Sequence, residues 1–264
     1  MRARGFARGQ ILRLGLVRKI GVISGLKREL RCLGLGLERP AHVVTFAAAG
    51  SSERAQARAL GWVADGRVRA LMSFGLCGGL DPALAPGTVL VAHQIALPEG
   101  GRMHFDSRWA HAIASRIPQA RIAPLLGADT VAVTAAEKGR LFARHSVPAV
   151  DMESRGVAEA AHEAGVPFVA LRAVADPADR SLPPAAVDAI NAYGRLRPLR
   201  VLLGLLRRPR DLAALFALAT DARRGYDALA AAKIHALMPE LVPHAAAAAM
   251  ASEALLPELV PLGS

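Results

Sequence analysis

The chain has 264 residues, of which 53% are hydrophobic and 4% aromatic, and a formal net charge of +11. That length suits one α/β domain with an appendage, or two small domains, and it carries ample aliphatic residues for a core. The charge points to an anionic partner (a phosphate, a membrane surface or nucleic acid) or to a genome that favours arginine codons, while the scarcity of rings argues against the stacking platforms of nucleic-acid binders.

In chain order, residues 1–16 read as a basic arm. Arg13 breaks its apolar stretch and no cleavage signature follows, so it does not read as a signal peptide. Lys19–Ser24 reads as a first strand, with a turn at Gly25 into a short helix through Glu29, and His42–Phe46 as a second strand. Ser51 or Ser52 can cap the next helix, with Glu53 in its first turn. Arg67–Phe74 is a third strand that ends on a glycine turn, Gly75–Gly79, and Gly87–Ala92 a fourth, announced by Pro86. His104–Ser115 is helical, Thr130–Val133 a short strand, and Ala135 to about Arg144 a helix. Residues 149–179 then give a strand end rich in acids, a helix, a turn at Gly165–Pro167 and an apolar strand, Phe168–Ala175, closing on Asp176. Residues 186–230 are helical in pattern and rich in Leu, Ala and Arg; residues 231–264 read as an alanine-rich tail.

Strands alternating with helices predict a mixed, mostly parallel central sheet flanked by helices, with a C-terminal helical extension. Cys32 and Cys77 have no metal-ligand spacing, and no run of about 18 uncharged apolar residues exists. A reduced, cytoplasmic protein follows. The histidines show no HxH or HExxH spacing; His104 and His111 are read as surface or core residues, and no metal is predicted.

The stretch from Ala149 to Asp179 carries the chemistry. A strand-helix-strand unit of this length makes its two strands parallel neighbours. Glu153 and Asp176 then lie just past the carboxyl ends of adjacent strands, where open α/β sheets bind ligands. One acid can hold a sugar while the other protonates a leaving group.

SFGLCGGLDPALAPGTVLVA, VDMES and LRAVADPAD, in that order along the chain, resemble the nucleoside phosphorylase and nucleosidase superfamily over roughly residues 17–230. LLGADTV, TAAEK, ADPADRSLPP and the basic C-terminal region resemble its hopanoid-associated phosphorylases, which release adenine from adenosylhopane. The resemblance implies that Asp176 is the general acid beside purine N7, Glu153 the carboxylate on the ribose hydroxyls and Met152 an apolar contact under the sugar. It implies that Gly25, Gly50, Ser51, Cys77, Gly78 and Val131 shape the base and phosphate site, and that Asp129 lies in the stretch lining the base. Leu76 stands where many members carry a small polar residue, and Ala48 departs from the glycine-rich pattern of the Gly50 loop.

Each residue also has a plainer reading: Asp176 as a cap before Pro177, Glu153 as a first-turn helix acid, Met152 as core, and Cys77 as a small packed residue. Glu29 matches the glutamate that activates water in hydrolytic relatives, whereas Lys27 and Arg28 favour an anionic nucleophile. The expected activity is therefore phosphorolysis of a 5′-modified adenosine by a pentosyl transferase. It needs no cofactor beyond inorganic phosphate as co-substrate. Hydrolysis of methylthioadenosine or adenosylhomocysteine is the alternative, and a non-catalytic nucleoside- or membrane-binding protein the rival from another class. The stretch 194–210 reads as a cationic amphipathic helix suited to an anionic membrane, or as a core helix with a solvated arginine face. Peripheral contact with the inner face of the cytoplasmic membrane goes with a lipid-linked substrate. No nucleic-acid partner is expected, and the resemblance implies a homo-oligomer.

Overall fold

The computed structural model describes residues 19–34, 40–48, 50–183 and 208–243. The predicted basic arm, most of the cationic stretch 194–210 and residues 244–264 lie outside them. Strand β1 (Ile20–Ser24) leads through Gly25 into helix α1 (Lys27–Cys32), then β2 (Val43–Ala47) and α2 (Ser52–Ala64). Strand β3 (Ala70–Gly79) is followed by the short strands β4 (Val89–Ala92), β5 (Gln94–Ala96) and β6 (Arg102–His104). After helix α3 (Ser107–Ala114) come β7 (Arg121–Ile122), β8 (Leu125–Gly127), α4 (Ala135–His145) and β9 (Ala149–Asp151). Helix α5 (Ser154–Glu163), β10 (Phe168–Asp176) and α6 (Leu212–Ala236) complete the set.

The strands form one curled sheet in the order β6-β5-β8-β9-β3-β10-β4-β7, with β1 joining β3 and β2 joining β1. The pairs β1–β2, β1–β3, β3–β10, β4–β7, β5–β8 and β8–β9 are parallel, and β4–β10, β3–β9 and β5–β6 antiparallel. The sheet is thus mixed and mostly parallel, as the alternation of elements predicts.

Both faces are covered because β10 is apolar at nearly every position. Phe168, Ala170 and Val174 meet Ala55, Ala59, Val157 and Ala161 from α2 and α5 on one face. The alternate residues Val169, Leu171 and Ala173 meet Trp109 and Ile113 of α3 and Leu229 and Ala232 of α6 on the other. Period-two alternation in a strand buried on both sides gives this division.

Four differences from the sequence reading matter for the site. Strands β9 and β10 are not neighbours: β3 lies between them, parallel to β10 and antiparallel to β9. The two strands therefore run antiparallel instead of parallel, with the ten-residue β3 between them pairing with β10 along its length and with β9 at its end. The predicted Gly75–Gly79 turn is instead the extended end of β3, and Thr130–Val133 is loop rather than strand. The paired strand in that region is β8, too short to show a period. Finally, α6 runs unbroken through residue 231, and Ala232, Leu237 and Val242 are buried, so the described part of the expected tail is packed.

Candidate active site

One cavity of about 320 Å³ opens at the carboxyl ends of the central strands. Its lining includes Gly25, Glu29, Gly50, Cys77, Gly78, Val131, Met152, Glu153 and Asp176, nine of the ten residues singled out from sequence. Register explains how the two acids meet. Gly78 at the end of β3 pairs with Val150 of β9 on one side and with Asp176 of β10 on the other. The strand that separates β9 from β10 thus carries an acid-bearing segment on each flank.

Ser51 is the tenth residue, and it serves elsewhere. Its hydroxyl accepts the Arg54 N–H as the N-cap of α2. It does not line the cavity. Asp129 also stays outside, exposed and 3.4 Å from Arg155. His104 and His111 are exposed. Burial pushes the Cys77 thiol far above its ordinary range, which fits a packed residue and not a nucleophile.

One side of the cavity is built on a buried charge cluster. Asp151 accepts the N–H groups of Glu153 and Ser154 through Oδ2 and so starts α5. Glu153 caps nothing with its side chain. Its carboxylate lies 3.5 Å from Arg172 and against Gly25, where an added Cβ would fall 2.6 Å from Oε1. Gly25 is therefore required by the close approach of this carboxylate, and Gly50 by its own φ of +72°. Burial pushes the Glu153 carboxyl up to about 8, against the attraction of Arg172. Met152 lies between the two acids in sequence and lines the same cavity, half-buried.

Arg172 is the residue the sequence reading missed. It sits fully buried in the middle of β10. Its Nη2 lies 2.5 Å from Asp151 and 2.5 Å from Ser73 Oγ, and Nη1 donates to the Leu76 carbonyl at 3.3 Å. Glu29 completes the cluster. Its Oε2 accepts the Leu26 N–H at 2.6 Å and its Oε1 the Leu76 N–H at 2.9 Å. Burial raises its pKa above the ordinary value, and Arg172 opposes that rise. Gly75 makes room for both: a Cβ there would stand 2.5 Å from Arg172 Nη1 and 2.8 Å from Glu29 Cδ. An internal Arg in an otherwise apolar strand was the available signal, because a charge there must find partners.

At the end of β10, Asp176 Oδ2 accepts from Lys138 Nζ at 2.6 Å. Its Oδ1 is buried and has no hydrogen-bond partner among the described residues. Burial raises its pKa, and the charge of Lys138 opposes the rise. A carboxyl group of this kind, with one oxygen tied and the other open, can present a proton to a ligand atom.

The sequence profile of the Phosphorylase superfamily matches residues 40–207. The chain belongs to this superfamily. No curated protein matches it. Among solved structures, it resembles S-adenosylhomocysteine nucleosidase from Streptococcus pyogenes, with a TM-score of 0.59, 17% identity, and coverage of 84% of this chain and 98% of that one. Futalosine hydrolase of Helicobacter pylori gives a TM-score of 0.58 at 15% identity over 82% and 97% of the two chains. A methylthioadenosine/adenosylhomocysteine nucleosidase from Colwellia psychrerythraea gives 0.56 at 16% identity over 72% and 95%. At these identities the likeness carries the fold.

In this phosphorylase-superfamily chain the last wall of the cavity comes from α6. Leu218, Ala222 and Tyr226 recur every four residues, so one helix face meets the cavity. Gly225 brings that helix close to the sheet, with a notional Cβ 2.8 Å from Leu76 Cδ2. The Arg28 guanidinium lies 4.2 Å from the Tyr226 ring centre, which ties α1 to α6 across the rim. The sequence places most of this helix in the helical run 186–230, where its contribution to the site is not visible.

Proposed function

We propose that this protein cleaves the N-glycosidic bond of a 5′-modified adenosine, with Asp176 as the acid at N7, Glu153 holding the ribose hydroxyls and Met152 packed under the sugar. The observation that carries the reading is the convergence of Asp176 and Glu153 on one cavity from the two flanks of β3. Protonating N7 turns the purine into a competent leaving group. Hydroxyl bonds to Glu153 strengthen as positive charge grows on the ribose ring, and that growth favours its carboxylate over its neutral form.

The nucleophile in this reading is inorganic phosphate. Lys27 and Arg28 follow the Gly25 loop at the rim. Burial pushes Glu29 toward its neutral form, which relieves the repulsion that a bare carboxylate would exert on phosphate. Hydrolysis remains a second reading on one observation: the two N–H groups on Glu29 favour its carboxylate, the form that takes a proton from water. A purine-release screen over 5′-modified adenosines, run with and without phosphate, separates them. Release should appear only with phosphate and yield a ribosyl 1-phosphate. Turnover in phosphate-free buffer would reject phosphorolysis, and no release from any nucleoside would reject the whole reading.

Adenosylhopane is the substrate this reading favours. Leu26, Leu76, Val131, Leu182 and Leu218 line the cavity, and Leu26 is 36% exposed at its rim, so an apolar 5′-substituent would meet apolar surface. Such a substrate lies in a bilayer. No helix among the described residues is long and apolar enough to cross one. Leu212 and Phe216, one turn apart at the start of α6, are 47% and 66% exposed, with exposed Arg210 just before them. We expect binding to vesicles containing anionic lipid, weakened by Phe216→Ser and by salt. Equal binding to anionic and neutral vesicles at low salt would remove membrane contact from the reading.

A further inference from the structure

We propose that Lys138 is a positioning residue for the acid: its ammonium group fixes Asp176 and stabilises the carboxylate that forms as the proton passes to the purine. The inference rests on the assignment of Asp176 above and extends it to a residue outside the acid and ribose pair.

Lys138 is fully buried, which for lysine demands a built environment. Its Nζ donates to Asp176 Oδ2 at 2.6 Å, to the Pro177 carbonyl at 2.8 Å and to the Arg180 carbonyl at 2.9 Å. An ammonium has three protons, and all three are engaged. Lys138 therefore has none left for a ligand, although it lines the cavity. It acts through Asp176, whose Oδ1 is the oxygen without a partner among the described residues.

The local sequence builds this arrangement. Thr134 caps α4 by accepting the Glu137 N–H, and the Glu137 carboxylate reaches back to the Val133 N–H. The Ala135 N–H is taken by Ser181 Oγ, which fastens the helix start to the loop after β10. Lys138 then enters from the second turn of the helix. The TAAEK string is thus a cap, a back-bond and an inward cation in five residues.

The step balances simply. The proton on Asp176 Oδ1 moves to N7, the C1′–N9 electron pair leaves with the base, a phosphate oxygen bonds C1′ in its place, and Asp176 becomes a carboxylate already bonded to a cation at Oδ2. A cation there makes the carboxyl a stronger acid than its burial alone would allow. The groups that face Asp176 are Lys138 from α4, Arg180 from the loop after β10, Asp221 from α6 and the Cys77 thiol from β3. Lys138 is the one in direct contact.

The test is Lys138→Gln in the full chain, with the Asp176 carboxyl followed by 13C NMR against pH and assigned with Asp176→Asn. The carboxyl should titrate at higher pH in the variant. The alkaline limb of kcat/KM for adenine release should move the same way. The rate at neutral pH should fall roughly 10- to 100-fold, part of the ~10²–10⁴ that a positioned acid supplies. Lys138→Arg, which keeps the charge, should return the limb toward the parent. A rate loss with an unmoved titration would mean Lys138 is only structural and would overturn the proposal. If Lys138→Gln does not fold, Lys138→Met, which keeps the apolar stem packing, gives the same readouts. An unmodified protein that releases no adenine would sink the assigned activity instead, and the NMR titration would still decide whether Lys138 controls Asp176.

Discussion

Asp176→Asn should lower adenine release by about 10²–10⁴-fold at neutral pH, the usual worth of a positioned general acid. The substitution keeps the shape of the group and an oxygen that can accept from Lys138. It removes the proton for N7 and the negative charge opposite the buried ammonium. The second loss has its own signature. Breaking a buried ion pair from one side costs about 3–5 kcal/mol, less here because Lys138 keeps the Pro177 and Arg180 carbonyls and Asp176 is partly exposed. A thermal melt measured beside the kinetics therefore separates a disabled acid from a damaged fold. An Asp176→Asn protein that melts within a few degrees of the parent and releases purine at the parental rate would remove Asp176 from the chemistry.

Much of this arrangement was legible in the chain. The order SFGLCGG, VDMES and LRAVADPAD, set among alternating apolar runs, points to the mixed sheet and to the carboxyl ends of its strands. What it could not carry was long-range register. A strand-helix-strand unit predicts parallel neighbours, and nothing in residues 149–179 reveals that β3 inserts between β9 and β10. The acids still converge, because Gly78 pairs with both flanks. Strands of two to four residues, β4 to β9, are too short to show a period, so the sequence predicts a strand at Thr130–Val133 where the structure places one at Leu125–Gly127. The buried cations were hidden for another reason. Lysine and arginine are usually surface residues, so Lys138 within TAAEK reads as a solvated helix position until its three acceptors are seen. Likewise α6 shows a four-residue stripe in sequence, but only the fold shows that the stripe meets a cavity.

Arg172→Met should be the most damaging change for stability. Three carboxylates, Glu29, Asp151 and Glu153, surround this one guanidinium, which is fully buried. Methionine fills much of the volume yet leaves the acids without their cation. Removing one partner of a buried ionic cluster costs about 3–5 kcal/mol, a large part of the 5–15 kcal/mol by which domains are stable. The loss should depend on pH. In the folded protein Glu153 is already pushed up to about 8 from 4.5, so between those values the folded chain holds a proton that the unfolded chain has released. Stability contributed by this group therefore falls as pH rises across that window. Without Arg172, which lowers the pKa values of both Glu153 and Glu29, the window extends to higher pH and the fall deepens. The melting temperatures of the variant and the parent should lie closer together at pH 5 than at pH 8. Equal gaps at the two values, or a variant as stable as its parent at pH 8, would show that the carboxylates do not depend on Arg172.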